Sequence, residues 1–149
     1  MRFISHRGNI DGKRVALENS EVYIKKALDK GYDVEIDVWY LDHSFWLGHD
    51  TPKDAVSETF LKHPNLWIHA KNIAALYHLK DGPNNVFFHN NDEAVLTSKN
   101  VIWTYAGVEP LTPASVAVIL DGSEYTLEQL DFCYGICSDT IALYRRFYG

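Results

Sequence analysis

Runs of β-prone residues recur about every twenty residues along this chain, with helical patterns between them, and this alternation constrains the fold more than any other feature. The runs are rich in Val, Ile, Phe, Trp and Tyr, which favour strands. Strands that alternate with short helices pack as a mostly parallel sheet covered by helices. The predicted strands are Arg2–His6, Asp33–Trp39, Ser44–Leu47, Leu66–Lys71, Asn85–His89, Val101–Tyr105, Ala117–Leu120 and Tyr134–Ser138.

The helical patterns carry recognisable start and stop signals. Ser20 is suited to cap the first helix, Tyr23, Ala27 and Leu28 give it an apolar stripe, and Gly31 is suited to end it. The predicted helices are Ser20–Lys30, Lys53–Lys62, Ile73–Leu79, Asp92–Ser98, Leu127–Cys133 and Thr140–Phe147.

The length of 149 residues suits one domain, residues 1–149, that buries a real core. The pattern of strands and helices does not by itself distinguish an open sheet from a closed barrel. A complete eightfold barrel usually takes about 250 residues. A barrel of this length would therefore need very short helices, or would lack some of them.

Composition and charge exclude several classes of protein. The net charge of −6 argues against a nucleic-acid partner, although a metal ion can still supply positive charge to a phosphate substrate. No run of about 18 apolar residues predicts a transmembrane helix, and the polar start MRFISHRGN does not resemble a secretory signal. The default expectation is a cytoplasmic protein. Cys133 and Cys137 fit no zinc spacing and are expected to be buried, reduced thiols rather than metal or redox groups.

The run Asp33–Val38 predicts two carboxylates on one face of a strand. Glu35 and Asp37 alternate with Val34 and Ile36, so the acidic pair and the apolar pair project from opposite faces. Two carboxylates on a buried face repel each other and lose hydration, and a divalent cation resolves both problems. An exposed, solvated face is the equally plausible alternative for this run taken alone.

Other predicted strands also end in ionisable residues. His6 ends the first strand, and His69 and Lys71 end the strand that follows the acidic one. The carboxyl ends of parallel strands meet at one edge of a sheet, where active sites of α/β proteins lie. His89 follows a strand in the same way and is a further candidate.

The segment Gly48-His49-Asp50 follows the acidic strand closely enough to fold back over its end. Two histidines beside a metal ion suit phosphodiester cleavage, because one takes a proton from the nucleophile and the other protonates the leaving oxygen. Glu18, in Glu18-Asn19-Ser20, is placed to reach the same edge, although Asn and Ser here also suit a helix start.

These residues resemble a known family pattern. His6-Arg7-Gly8, Glu18-Asn19-Ser20, Glu35-Ile36-Asp37-Val38 and Gly48-His49-Asp50 occur in the order found in the glycerophosphodiester phosphodiesterase family, within the superfamily of phosphatidylinositol-phospholipase-C-like phosphodiesterases. Fainter likeness extends to Ile68–Lys71, Ile102–Thr104 and Gly135–Asp139.

The resemblance implies an α/β fold, a reduced TIM-like barrel of about seven to eight mostly parallel strands with short helices. It implies a phosphodiesterase that cleaves a glycerol- or lipid-type phosphodiester, directly or through a cyclic phosphate. His6 and His49 would be the acid–base pair, and Arg7 and Lys71 would hold the phosphate. Metal ligands would be Glu35, Asp37 and the residue at position 69, and Trp103 would line the pocket.

The chain departs from the family in its short length and at His69, which stands where the family has an acidic metal ligand. Mg²⁺ or Ca²⁺ is the expected ion, but an imidazole ligand also suits Mn²⁺ or Zn²⁺. Glu18 or Asp50 is the alternative third oxygen ligand. The rival hypotheses are a non-catalytic module that binds a phosphorylated ligand and another metal-dependent hydrolase on an α/β scaffold. The leaving alcohol and the oligomeric state are left open.

Overall fold

A ten-stranded sheet flanked by five short helices forms the framework of the protein, in a computed structural model that describes residues 1–149. The strands are β1 Arg2–His6, β2 Asp33–Leu41, β3 Ser44–Leu47, β4 Asp54–Val56, β5 Leu66–Ala70, β6 Asn85–Phe87, β7 Ala94–Leu96, β8 Ile102–Thr104, β9 Ser115–Ile119 and β10 Gly135–Ser138. The helices are α1 Glu21–Asp29, α2 Glu58–Leu61, α3 Ile73–Leu79, α4 Leu127–Leu130 and α5 Ile141–Tyr148.

Seven of the strands run parallel in the order β6-β5-β2-β1-β10-β9-β8, so their carboxyl ends share one edge of the sheet. The remaining three are antiparallel additions. β7 pairs with β8, and β3 and β4 form a meander on the far end of β2. The expected α/β architecture and the pairing of Ser44–Leu47 with the preceding strand are therefore confirmed.

The sheet does not close into a barrel, and the reason lies in β7. The segment Asp92–Ser98 was predicted to be a helix, but it contains β7, which occupies the outer edge of β8. β6 therefore cannot pair with β8, as closure would require, and its ladder is with β5 alone. The gap is bridged instead by one backbone hydrogen bond, from the Ser98 N–H to the Val86 carbonyl at 2.9 Å, and by the rings of Phe87 and Trp103, which stack with centroids 4.6 Å apart.

Of the other helix predictions, Ile73–Leu79 has the predicted bounds, and the rest hold with shifted ends. α1 begins after Ser20, whose hydroxyl accepts a hydrogen bond from the backbone N–H of Tyr23, and Gly31 follows the helix with a φ of 81°. The predicted helix Lys53–Lys62 is reduced to α2, because β4 takes up its first half. No helix of the chain is both long and apolar enough to cross a membrane.

Two hydrophobic clusters bind the helices to the outer face of the sheet, and a third fills the inner face. Val34, Ile36 and Val38 of β2 pack with α1, α2 and α3 in the first cluster, and α4 and α5 pack on β9 and β10 in the second. The inner cluster consists of side chains from six strands and from the residue before one of them. They are Ile4, Trp67, Phe87, Val101, Trp103, Val116, Val118 and Cys137. Both cysteines are buried free thiols, as expected.

The first cluster predicts a sharp contrast between two Ile→Ala substitutions. Ile68 in β5 is fully buried, so Ile68→Ala should lower the free energy of unfolding by about 2–5 kcal/mol through lost contacts and a residual cavity. Ile73 in α3 is 74% exposed, so Ile73→Ala should change it by less than about 0.5 kcal/mol. Urea denaturation of both variants measures the difference, and equal losses would contradict this account of the core.

Candidate active site

The inner face of the sheet carries apolar residues in its middle and polar residues at its carboxyl edge. Along five strands, the position two residues beyond an inner apolar side chain is ionisable or hydroxylated, because side chains of a strand alternate faces. These steps are Ile4 to His6, Trp67 to His69, Phe87 to His89, Trp103 to Tyr105 and Cys137 to Asp139. The polar groups therefore form a ring above an apolar floor.

Glu35 and Asp37 of β2 stand in this ring and are buried, with relative exposures of 3% and 0%. His69 of β5 lies directly beside Asp37 in the parallel register. Its Nδ1 is 3.1 Å from Asp37 Oδ1. One possible ligand atom from each of the three residues lies within 4.8 Å of the others, so they can share one ion.

Two carboxylate oxygens of this group have no hydrogen-bond partner, although they are buried. They are Oε2 of Glu35 and Oδ1 of Asp37. Buried carboxylate oxygens are rarely left unpaired, because the loss of hydration is costly. Carboxylate oxygens without hydrogen bonds, with an imidazole nitrogen within 4.8 Å of them, fit the donor set of a divalent cation.

The two carboxylates have opposite pKa shifts. Burial, reinforced by the negative charge of Asp37, raises the pKa of Glu35 to about 7. Burial would also raise the pKa of Asp37, but the close contact and charge of His69, together with the charge of Arg7, hold that pKa well below its ordinary value. Such a split pair keeps one firm negative charge and one exchangeable proton.

His6 ends β1 beside the carboxylates. Its Nδ1 donates a hydrogen bond to Asp139 Oδ1 at 2.8 Å, and its Nε2 lies 3.7 Å from Glu35 Oε2. Burial lowers the pKa of His6, but the Asp139 hydrogen bond and the charge of Glu35 outweigh it and raise the pKa above its ordinary value. His6 is therefore held in one orientation, with Nε2 directed to the acidic group.

Arg7 supplies the fixed positive charge of the site. Its backbone is left-handed, with φ of 56°, and its guanidinium lies 3.2 Å from Glu18 and 3.1 Å from Asp37. Asn19 makes two hydrogen bonds to Asp37. Its amide nitrogen donates to Asp37 Oδ2, and its amide oxygen accepts from the Asp37 backbone N–H. Glu18 thus acts as a partner of Arg7 and stands outside the candidate metal group.

Asn9 links the two halves of this network and was missed by sequence reasoning. Its buried amide nitrogen donates to Glu18 at 3.0 Å and to Asp139 at 2.7 Å. Its amide oxygen accepts from the Tyr23 hydroxyl at 3.0 Å. The only signal in the sequence was its place directly after His6-Arg7-Gly8. Asp139 was recognised only as part of a faintly similar segment, although it is the partner of His6.

His49 reaches the site because β3 runs back along β2. The backbone N–H of Gly48 donates to the Asp37 carbonyl at 3.2 Å, which brings the next residue over the acidic pair. A side chain at position 48 would lie 2.0 Å from the Thr51 carbonyl oxygen, and φ there is 151°, so only glycine fits. The Nδ1 of His49 donates to Asp50 at 2.7 Å. Asp50 is exposed and stands outside the candidate metal group.

His89 and Trp103 form part of an aromatic wall. The rings of His89 and His69 stack with centroids 4.3 Å apart, and Tyr105 covers the other side of His89 at the same distance. Burial and then the charge of His69 lower the pKa of His89 to about 4, so this imidazole is neutral at pH 7. Trp103 is buried and faces the cavity.

A cavity of 270 Å³ joins these groups. Lys71 is not among the side chains that line it, whereas Lys13, which was not singled out from the sequence, is. The cavity is lined by His6, Arg7, Lys13, Glu35, His49, His69, His89, Trp103, Tyr105, Val118, Leu120 and Asp139.

Family models, curated proteins and solved structures were each compared with the chain, and none of them matches it.

The shifted pKa of Glu35 predicts how stability depends on pH in the metal-free protein. Its value is about 7 in the folded state against 4.5 for the free group, so the folded state holds this proton more tightly. The stabilisation is complete below about pH 4.5 and is lost as the pH rises through about 7, by up to about 3 kcal/mol. Glu35→Gln has no proton to lose, so its free energy of unfolding should fall less over this range.

Urea denaturation at several pH values between about 5 and 8, with a chelator present, measures this slope. The raised pKa of His6 contributes a slope of the same sign, and the charge of Glu35 is one cause of that raised pKa. The difference between wild type and Glu35→Gln therefore reports Glu35 together with its coupling to His6. Parallel curves for the two proteins would show that Glu35 titrates normally.

Proposed function

We propose that this protein is a metal-dependent phosphodiesterase that cleaves a glycerol- or lipid-type phosphodiester, built on a shortened and unclosed relative of the phosphodiesterase barrel. One observation carries the proposal. Two histidines, an arginine and two of the three possible metal ligands, Glu35 and His69, border one cavity at the carboxyl edge of the sheet. The third possible ligand, Asp37, is fully buried and lies 3.1 Å from His69. Together they supply the acid, the base and the positive charge that phosphodiester cleavage needs.

The phosphate would be held by Arg7. Its guanidinium is fixed by Glu18 and Asp37, so it is already oriented before the substrate arrives. Lys71, the second cation expected from the sequence, does not line the cavity, and the proposal does not depend on it.

Proton transfer would use the two histidines. In each, Nδ1 donates to a carboxylate, that of Asp139 for His6 and that of Asp50 for His49, which leaves Nε2 for the substrate. One Nε2 would accept the proton of the attacking hydroxyl, either from water or from the substrate's own neighbouring alcohol. The other would donate a proton to the departing oxygen. The buried carboxylate behind His6 stabilises its protonated form.

Glu35, Asp37 and His69 would hold the divalent ion, whose bound charge would offset the negative charge of the phosphoryl oxygens. Two carboxylates favour Mg²⁺ or Ca²⁺, and the single imidazole extends the choice to Mn²⁺ or Zn²⁺.

A non-catalytic module that binds a phosphorylated ligand is the second candidate. The observation that favours it is the exposure of His49, whose side chain is 43% exposed and is fixed only by Asp50, itself 90% exposed. A binding site does not require an aligned second histidine, whereas the proposed reaction does.

Substitution of the histidines distinguishes the two candidates. His6→Ala and His49→Ala should each lower metal-stimulated turnover of a responsive glycerophosphodiester by about 10²–10⁴-fold, because each removes one proton-transfer group. His63→Ala is the matched control, since His63 is exposed and does not line the cavity, and it should leave turnover unchanged.

The measurement is alcohol release from a panel of glycerophosphodiesters and lysophospholipids with Mg²⁺, Ca²⁺, Mn²⁺ or Zn²⁺. If a folded sample shows no metal-stimulated turnover of any compound in the panel, the proposed enzymatic activity is refuted. Retained binding of phosphorylated ligands in that case would favour the second candidate.

Replacement of the imidazole ligand tests the metal assignment. His69→Asp should raise affinity for Mg²⁺ and Ca²⁺ relative to Mn²⁺ and Zn²⁺, because it exchanges a nitrogen donor for a charged oxygen donor. His69→Asn is the control of equal size without the charge, and it should weaken binding of all four ions. Isothermal titration with each metal measures the change, and an unaltered order of affinities would mean that His69 is not a ligand.

A further inference from the structure

A second cavity adjoins the proposed reaction site and differs from it in character. It measures 460 Å³ and is bordered by the segment between β1 and α1 and by the segment between β3 and β4. Arg7, Lys13 and His49 line both cavities, so the two are neighbours across these three side chains. We refer to the second cavity as the basic groove.

The lining of the basic groove carries three fixed cations, Arg7, Lys13 and Lys53, and two carboxylates, Glu18 and Asp50. Glu18 is paired with Arg7, and Asp50 is 90% exposed and contacts His49. Lys13 forms no ion pair. Lys53 is 4.0 Å from Asp54, and both of these side chains are about half exposed, so that pairing is weak.

The two cavities offer contrasting surroundings on either side of the proposed phosphate position. The reaction cavity has an apolar and aromatic wall formed by Trp103, Tyr105, Val118 and Leu120. The basic groove has Val15 as its one apolar side chain, and Val15 is 70% exposed. A phosphodiester has two alcohol groups, and a phosphate beside Arg7 would direct them into two unlike environments.

We propose that the substrate carries a second anionic group, a carboxylate or a phosphate, on one of its two alcohols, and that Lys13 and Lys53 bind this group in the basic groove. This inference rests on the proposed function. It narrows the substrate class to phosphodiesters with a polar, negatively charged alcohol on one side. An acyl chain does not suit the groove, because apolar carbon placed beside the ammonium groups of Lys13 and Lys53 would remove water from them without supplying a polar partner.

A matched pair of compounds tests the inference. Glycerophosphoserine and glycerophosphoethanolamine differ by one carboxylate. The serine compound should bind His6→Gln protein with Mg²⁺ present up to about fivefold more tightly for each lysine that contacts the carboxylate. The preference should weaken as salt concentration rises, because partly exposed charges are screened. Isothermal titration measures both effects without turnover.

Lysine variants locate the effect. Lys13→Ala and Lys53→Ala, each made in the His6→Gln background, should reduce the preference for the serine compound, and the combined variant should abolish it. Lys99→Ala is the control with the same loss of charge. Lys99 precedes β8 and so lies at the opposite end of the parallel strands from the cavities, and its variant should keep the full preference.

The outcomes separate this inference from the proposed function. Equal affinity for the two compounds, or a preference that survives loss of both lysines, overturns the inference, while turnover of other phosphodiesters by wild type would leave the function standing. If the protein prefers the serine compound in a lysine-dependent way but turns over no diester, the anion site is supported and the proposed enzymatic activity is rejected. A preference that appears also in kcat/KM of wild type supports both.

Discussion

The burial of Glu35 and Asp37 side by side is the constraint on which the rest of the site depends. Two carboxylates inside a protein destabilise it unless other groups compensate them. Arg7, Asn19 and His69 all converge on Asp37, whereas Glu35 has His6 near it and an oxygen with no partner. The surrounding residues thus compensate the negative charge of Asp37 but not that of Glu35. The charge of Glu35 is left to be neutralised by a proton or by a cation, as its raised pKa indicates.

Compensation of this pair also connects groups that would otherwise be independent. Asn9 donates to both Glu18 and Asp139, and these carboxylates in turn orient Arg7 and His6. A displacement of Asn9 would therefore disturb the cationic group and the proton-transfer group together. Shared hydrogen bonds of this kind make the position of one group depend on that of the other. The groups on the side of β1 and β2 are mostly buried and hydrogen-bonded, whereas the exposed member of the site, His49, comes from the β3–β4 connection.

The sequence allowed much of this edge to be predicted, because strand parity is a local property. Alternation placed Glu35 and Asp37 on one face, and the parallel arrangement brought His6 and His69 to the same end. The partners Asp139 and Asn9 were harder to identify, since one lies 133 residues from His6 and an amide has many possible structural uses. Lys13 could not be placed, because its position depends on the conformation of a long connection without regular structure.

The failed prediction of a closed barrel has the same origin as the wrong helix at Asp92–Ser98. A helix there would have returned the chain for a parallel strand, whereas the strand β7 turns it back along β8 and covers the edge needed for closure. The stacked side chains of Phe87 and Trp103 then join the two ends of the parallel sheet, β6 and β8, between which there is no strand pairing. Because Phe87 also stacks on His69, this contact lies directly beneath the candidate metal group. In so short a chain, the aromatic side chains of the inner cluster therefore have two roles: they complete the core, and they pack beneath the polar residues of the site.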